Sequence, residues 1–169
     1  DIVFLNCGSR FGELEYVQQH ADRLRAFVEK GGSIYASDWS WLAAEVLYPD
    51  PIDFHAADDL NAWDNKVGTR APITARIKTA EWIEALGFSD FTIASMLTSW
   101  GPMNAMGPGT DLFIEGDFTI YEGSAVITAK PLTVRFPAGQ GQILYTSFHY
   151  ESVDDAMVNK LISHIVYEL

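Results

Sequence analysis

Apolar residues along the chain fall into three patterns, and each predicts a different element. Ile2 to Leu5 is a short continuous apolar run, which suits a strand covered on both faces. From Tyr16 to Lys30 the apolar positions are Val17, Ala21, Leu24 and Val28, with Phe27 beside them, the one-sided spacing of a helix. Gly31-Gly32 ends that helix. Ser33 to Ser37 is again short and apolar, a second buried strand, and Trp41 to Leu47 reads as a helix stopped by Pro49 and Pro51. Strand, helix, strand, helix at these spacings predicts βαβ units and a parallel sheet. Asp53 to Arg70 has no period and reads as a long surface excursion. Ile73 to Ile77 alternates as a strand, Thr79 to Leu86 as a short helix capped by Gly87, and Phe91 to Ser95 as another strand.

Trp100 to Gly109 is a loop by composition. Beyond it the rhythm shortens. Leu112–Ile114, Phe118–Tyr121, Ala125–Thr128 and Leu132–Phe136 read as short strands punctuated by Gly116, Gly123 and Pro131, an antiparallel meander. Gln142 to Phe148 is a further apolar strand, and a final helix runs from Val153 to Tyr167. The fold class expected is α/β: a three-layer sandwich with a mostly parallel sheet and an antiparallel meander in the C-terminal half. At 169 residues this is a single domain spanning 1–169. The chain opens inside a strand-like segment without an initiating Met, so a fragment of a longer protein is expected.

Charge narrows the partners. Eleven Lys and Arg against twenty-three Asp and Glu leave a net charge of −12, which argues against binding nucleic acid or an anionic membrane surface. No apolar run approaches the roughly 18–20 residues of a spanning helix. A hydrophobic content of 48% is that of a folded, soluble domain, with an exported or cell-surface setting within a larger protein left open. The single cysteine, Cys7, excludes an internal disulfide framework. Asp58, Asp59, Asn61, Asp64 and Asn65 offer oxygen ligands, but without EF-hand spacing they read as a solvated acidic loop. His20, His55, His149 and His164 show no zinc spacing, so no metal and no cofactor is expected.

In an open parallel sheet, ligands bind at the carboxyl ends of the strands. Here those ends carry Asn6-Cys7-Gly8-Ser9, Ser37-Asp38-Trp39-Ser40-Trp41 and Ser147-Phe148-His149-Tyr150-Glu151. Asp38, His149 and Glu151 are the candidate catalytic residues, and Cys7, Ser37, Trp39 and Trp100 the candidate ligand-binding ones. Each has a structural alternative. Asp38 suits a helix N-cap and Glu151 the positive end of the last helix. His149 suits a bonded strand-end histidine, Cys7 a small buried hydrophobe and the tryptophans the core.

Two stretches carry a resemblance. Gly31 to Ser37 resembles the helix, Gly-Gly, strand and elbow passage of the class I glutamine amidotransferase-like superfamily. Gly139 to His149 is similar to the closing strand of the same superfamily, especially its ThuA-like (trehalose utilisation) branch. His149-Tyr150-Glu151 is similar to the His-Pro-Glu that completes a Cys-His-Glu triad in the amidotransferases. The resemblance implies a flavodoxin-like fold whose usual first strand would precede Asp1. It also marks a departure, because the elbow that holds the family's nucleophilic cysteine holds Ser37-Asp38-Trp39 here. Amide hydrolysis through a glutamyl thioester needs a thiolate, so glutamine amidotransfer is not expected. Two functions follow as expectations. One is a non-catalytic binding or structural module of a larger protein, meeting a small polar ligand or another protein domain. The alternative is a hydrolase-like enzyme using Asp38, His149 and Glu151 on a carbohydrate-related or small polar substrate.

Overall fold

The computed structural model describes residues 1–7, 12–55, 68–93, 100–120, 125–148 and 156–169. The first strand, β1 (Ile2–Leu5), leads to helix α1 (Gly12–Glu29) and strand β2 (Ser33–Ser37). The end of α1 shows how local chemistry sets the turn. Gly31 takes a φ of 101°, open to glycine at no steric cost, and donates to Val28 O, while Gly32 N donates to Phe27 O. A 3-10 turn at Asp38–Ser40 then feeds α2 (Trp41–Leu47). The remaining elements are β3 (Ile52–Phe54), β4 (Ile73–Ile77), α3 (Ala80–Leu86), β5 (Asp90–Ile93), β6 (Met103–Met106), β7 (Asp111–Thr119), β8 (Val126–Ala138), β9 (Gly141–Thr146) and α4 (Ala156–Glu168).

Seven strands form one sheet in the order β1-β2-β9-β8-β7-β4-β5. β1, β2 and β9 lie side by side and parallel, whereas β8, β7, β4 and β5 join through antiparallel pairings. Followed across the sheet, five of the seven strands point the same way, with β8 and β4 reversed. The expected α/β sandwich, with its meander in the second half, is therefore the observed architecture. β2 is buried at every position, and its alternation splits the core in two. Ile34 and Ala36 join Val17 and Val28 of α1 and Trp41 and Leu42 of α2 on one face. Tyr35 faces the other side, with Trp82 of α3 and Leu161 and Ile165 of α4.

Three elements depart from the sequence reading. The four short strands expected between Leu112 and Phe136 are two long ones, β7 and β8, whose register shifts at several points along their pairing. Gly116 sits within β7 rather than in a turn: a Cβ there would lie 2.5 Å from Leu132 Cδ1 and 2.8 Å from Ile73 Cγ2. Pro131 lies in the half of β8 that β9 does not reach, where no ladder donor is missed on that side. Finally, the expected excursion and loop meet. β3 pairs antiparallel with β6, and this two-stranded ribbon puts Ile52, Phe54 and Met103 against the α1/α2 face.

Candidate functional site

The site grows from the parallel third of the sheet. Leu5 pairs with Ala36, so Cys7, two residues on, arrives beside Asp38, two residues past Ala36. Ser37 pairs with Thr146, so the end of β9 lies on the other side of the same elbow. The mouths of β1, β2 and β9 thus open on one edge of the sheet, because all three strands run the same way. His149 and Glu151 lie outside the described residues.

Asp38 is the turning point. Its φ of 51° is in the left-handed region, where Asp is among the few non-glycine residues tolerated, and its side chain is 1% exposed. A strained residue at a sharp strand-to-helix turn is the geometry by which nucleophile elbows present a side chain. The N-cap of α2 is Ser40, not Asp38, so the carboxyl is not spent on capping that helix. It meets Cys7 instead. Burial pushes the Asp38 carboxyl from 3.8 up to about 8, and the hydrogen bond from Cys7 pulls part of the way back. At neutral pH the group is mainly a neutral acid in the fold.

Tyr145 of β9, a residue that sequence reasoning passed over, holds the elbow from below. Its single hydroxyl proton is within reach of the backbone oxygen of Asp38 at 2.8 Å and of Gly101 at 3.1 Å. Ser147 Oγ donates to the same Gly101 oxygen at 3.1 Å. Burial, then the neighbouring Asp38, pushes the Tyr145 hydroxyl well above its usual range, so it stays a donor. The signal for Tyr145 was its place in the closing strand. A buried phenol needs a polar partner for its tip, and its register row faces Ala36, next to the elbow.

The other candidates divide. Ser37 is fully buried beside Asp38 in the chain, and Trp39 is half-buried against the α1/α2 core. Trp100 is fully buried, edge-on to Phe118 with ring centroids 4.8 Å apart, and its Nε1 donates to Thr69 O at 3.1 Å. It is packed within the core rather than standing on the rim. Among the described residues no group of His, Cys, Asp and Glu is arranged to hold a metal ion. A shallow groove between α3 and α4, lined by Leu86, Lys160, His164 and Tyr167 among others, includes no residue of the elbow.

A sheet flanked by helices, with a sharp turn at the end of β2, is a flavodoxin-like α/β fold, and that is the class the geometry defines. Solved structures of low sequence identity share that fold. A ThuA-like protein from Bacteroides uniformis superposes with a TM-score of 0.55 at 11% identity, over 96% of this chain and 66% of that one. A cytoplasmic protein from Salmonella typhimurium gives 0.58 at 14% identity, over 99% of this chain and 71% of that one. The β-galactosidase of Rahnella sp. R3 gives 0.51 at 14% identity, with this chain spanning 96% of its own length but 21% of the enzyme. No family model and no curated protein matches the sequence.

Proposed function

We propose that the chain is a binding module of a larger protein, built on an amidotransferase-like fold whose elbow is kept as a closed structural joint. The observation that carries this reading is the state of Asp38. A carboxyl that is 1% exposed and bonded to Cys7, with burial raising its pKa, is poorly placed to attack a substrate or to take a proton from one at neutral pH. Glutamine amidotransfer fits poorly, since the elbow lacks a thiol and Cys7 reaches it from another strand. The small share of a β-galactosidase chain that this fold occupies, 21%, supports its use as one component of a larger protein. Another protein domain is the partner this reading favours, with a small polar ligand second.

The strained φ of Asp38 favours the second reading, a hydrolase-like enzyme in which His149 and Glu151 complete the site on a carbohydrate-related or small polar substrate. The two readings part in one experiment. Ammonia release from glutamine and nitrophenol release from aryl esters and glycosides are measured for the wild type and for Asp38→Asn. Equal, background-level rates are expected. A wild-type turnover that falls on the order of 100-fold in Asp38→Asn, with melting temperature preserved, would establish the enzyme instead.

A further inference from the structure

The register places three hydroxyl residues in one row across the middle of the sheet. Ser37 of β2 pairs with Thr146 of β9, which pairs with Thr133 of β8. All three are 0% exposed. The row faces the α3/α4 side, because Ser37 is two residues from Tyr35, and Tyr35 belongs to that core. Thr146 is satisfied: its Oγ1 donates to Phe148 O at 2.7 Å and lies 3.0 Å from the Tyr35 hydroxyl. With the Thr146 proton given to Phe148, Tyr35 must be the donor of that second bond. Ser37 Oγ and Thr133 Oγ1, by contrast, are buried without a hydrogen-bond partner. A buried hydroxyl without a partner is costly, and each such group calls for a physical account.

We propose that a single buried water sits between β2 and β9, held by Ser37 Oγ, Thr146 Oγ1 and the Tyr35 hydroxyl. Ser37 Oγ does not bond Thr146 Oγ1 directly, and across strands about 4.7–4.9 Å apart one bridging oxygen with bonds of about 2.8 Å can span such a gap. The donors and acceptors balance. Ser37 donates to the water, and the water donates to the remaining lone pair of Thr146 Oγ1 and to a lone pair of the Tyr35 oxygen. Three partners are the usual number for an internal water. That assignment uses up Thr146, so Thr133 gains nothing from it. On its other side Thr133 pairs with Ile114, which is apolar, and its hydroxyl stays dry. Since Ser37 immediately precedes Asp38, the water ties down the end of β2 from which the elbow springs.

The two orphan hydroxyls therefore respond oppositely to removal. Ser37→Ala is expected to lower the melting temperature by about 2–4 °C, because a bound water loses its donor. Thr133→Val, which keeps the shape and removes the unmet hydroxyl, is expected to leave it unchanged or raise it. A crystal structure at about 1.5 Å resolution is expected to show an ordered water within hydrogen-bond distance of Ser37 Oγ and Thr146 Oγ1. Ser37→Ala that melts at or above the wild-type temperature, or a well-ordered Ser37 with no water beside it, would overturn the proposal. The crystal reads the water in the wild type, so it decides even if a variant fails to fold.

Discussion

At the scale of single residues, Asp38 concentrates the unusual physics of this chain. Its left-handed backbone costs on the order of 1–3 kcal/mol and persists because Tyr145 holds its carbonyl and the 3-10 turn into α2 begins at this residue. Its buried carboxyl makes stability depend on pH. The group gives up its proton near 3.8 in the unfolded chain but near 8 in the fold. Between those values the native state keeps a proton that the unfolded state has lost, so stability falls as pH rises through this window and levels off above about 8. Wild-type melting temperature, measured from pH 5 to pH 9, is expected to decline more steeply than that of Asp38→Asn, which cannot ionise and suits the same φ. Parallel declines would show that Asp38 titrates normally.

At the scale of elements, helix phase and strand packing each yield a test. α1 places Val17 and Val28 in the core at 0% exposed, leaves Leu24 half-buried and Gln18 exposed. The expected side of the helix is the buried one, but Leu24 lies toward its edge. Leu24→Ala is therefore expected at the low end of core truncations, about 2 kcal/mol, and Gln18→Ala below about 0.5 kcal/mol. Equal costs in a urea titration would contradict this phase. α4 inserts Leu161 at 0% exposed, so Leu161→Ala is expected to cost about 2–5 kcal/mol by the same measurement. In β7, Gly116→Ala forces a methyl into the space of Leu132 and Ile73, and overpacking of this kind costs roughly 1–3 kcal/mol. A Gly116→Ala variant as stable as the wild type would mean that these neighbours can move aside.

At the scale of the whole molecule, charge dominates. A net −12 on 169 residues makes the folded state repel itself, and added salt screens that repulsion. Raising sodium chloride from about 20 to 200 mM, a range over which the screening length falls well below the size of the domain, is expected to raise the melting temperature. The attractive pairs of Arg76 with Glu115 and Asp117 work the other way: Asp117, held near 2 by the Arg76 bonds and by Ala129 N, weakens with salt. These groups are partly exposed, so their contribution is modest. A melting temperature that falls with salt would show that such local pairs outweigh the global repulsion. Among the described residues, no helix is long and apolar enough to cross a membrane.

The chain's own pattern was enough for β2, α1, the Gly87-capped α3 and the parallel placement of the first two strands, because each follows from local spacing and one terminating residue. It was also enough to mark the turn after β2 and to show that Ser37-Asp38-Trp39 holds no cysteine, since both are matters of residue type at a strand end. Pairing between distant segments was decided by the tertiary structure alone. Ile52–Phe54 and Met103–Met106 look irregular until they bond to each other, and Gly116 and Pro131 look like turns until their strand neighbours are known. The same holds at the site. That Cys7 meets Asp38, that Tyr145 supports it from below and that Trp100 is packed inside all depend on strand register and sheet order. Periodicity reports which face of an element is apolar; it does not report what that face will touch.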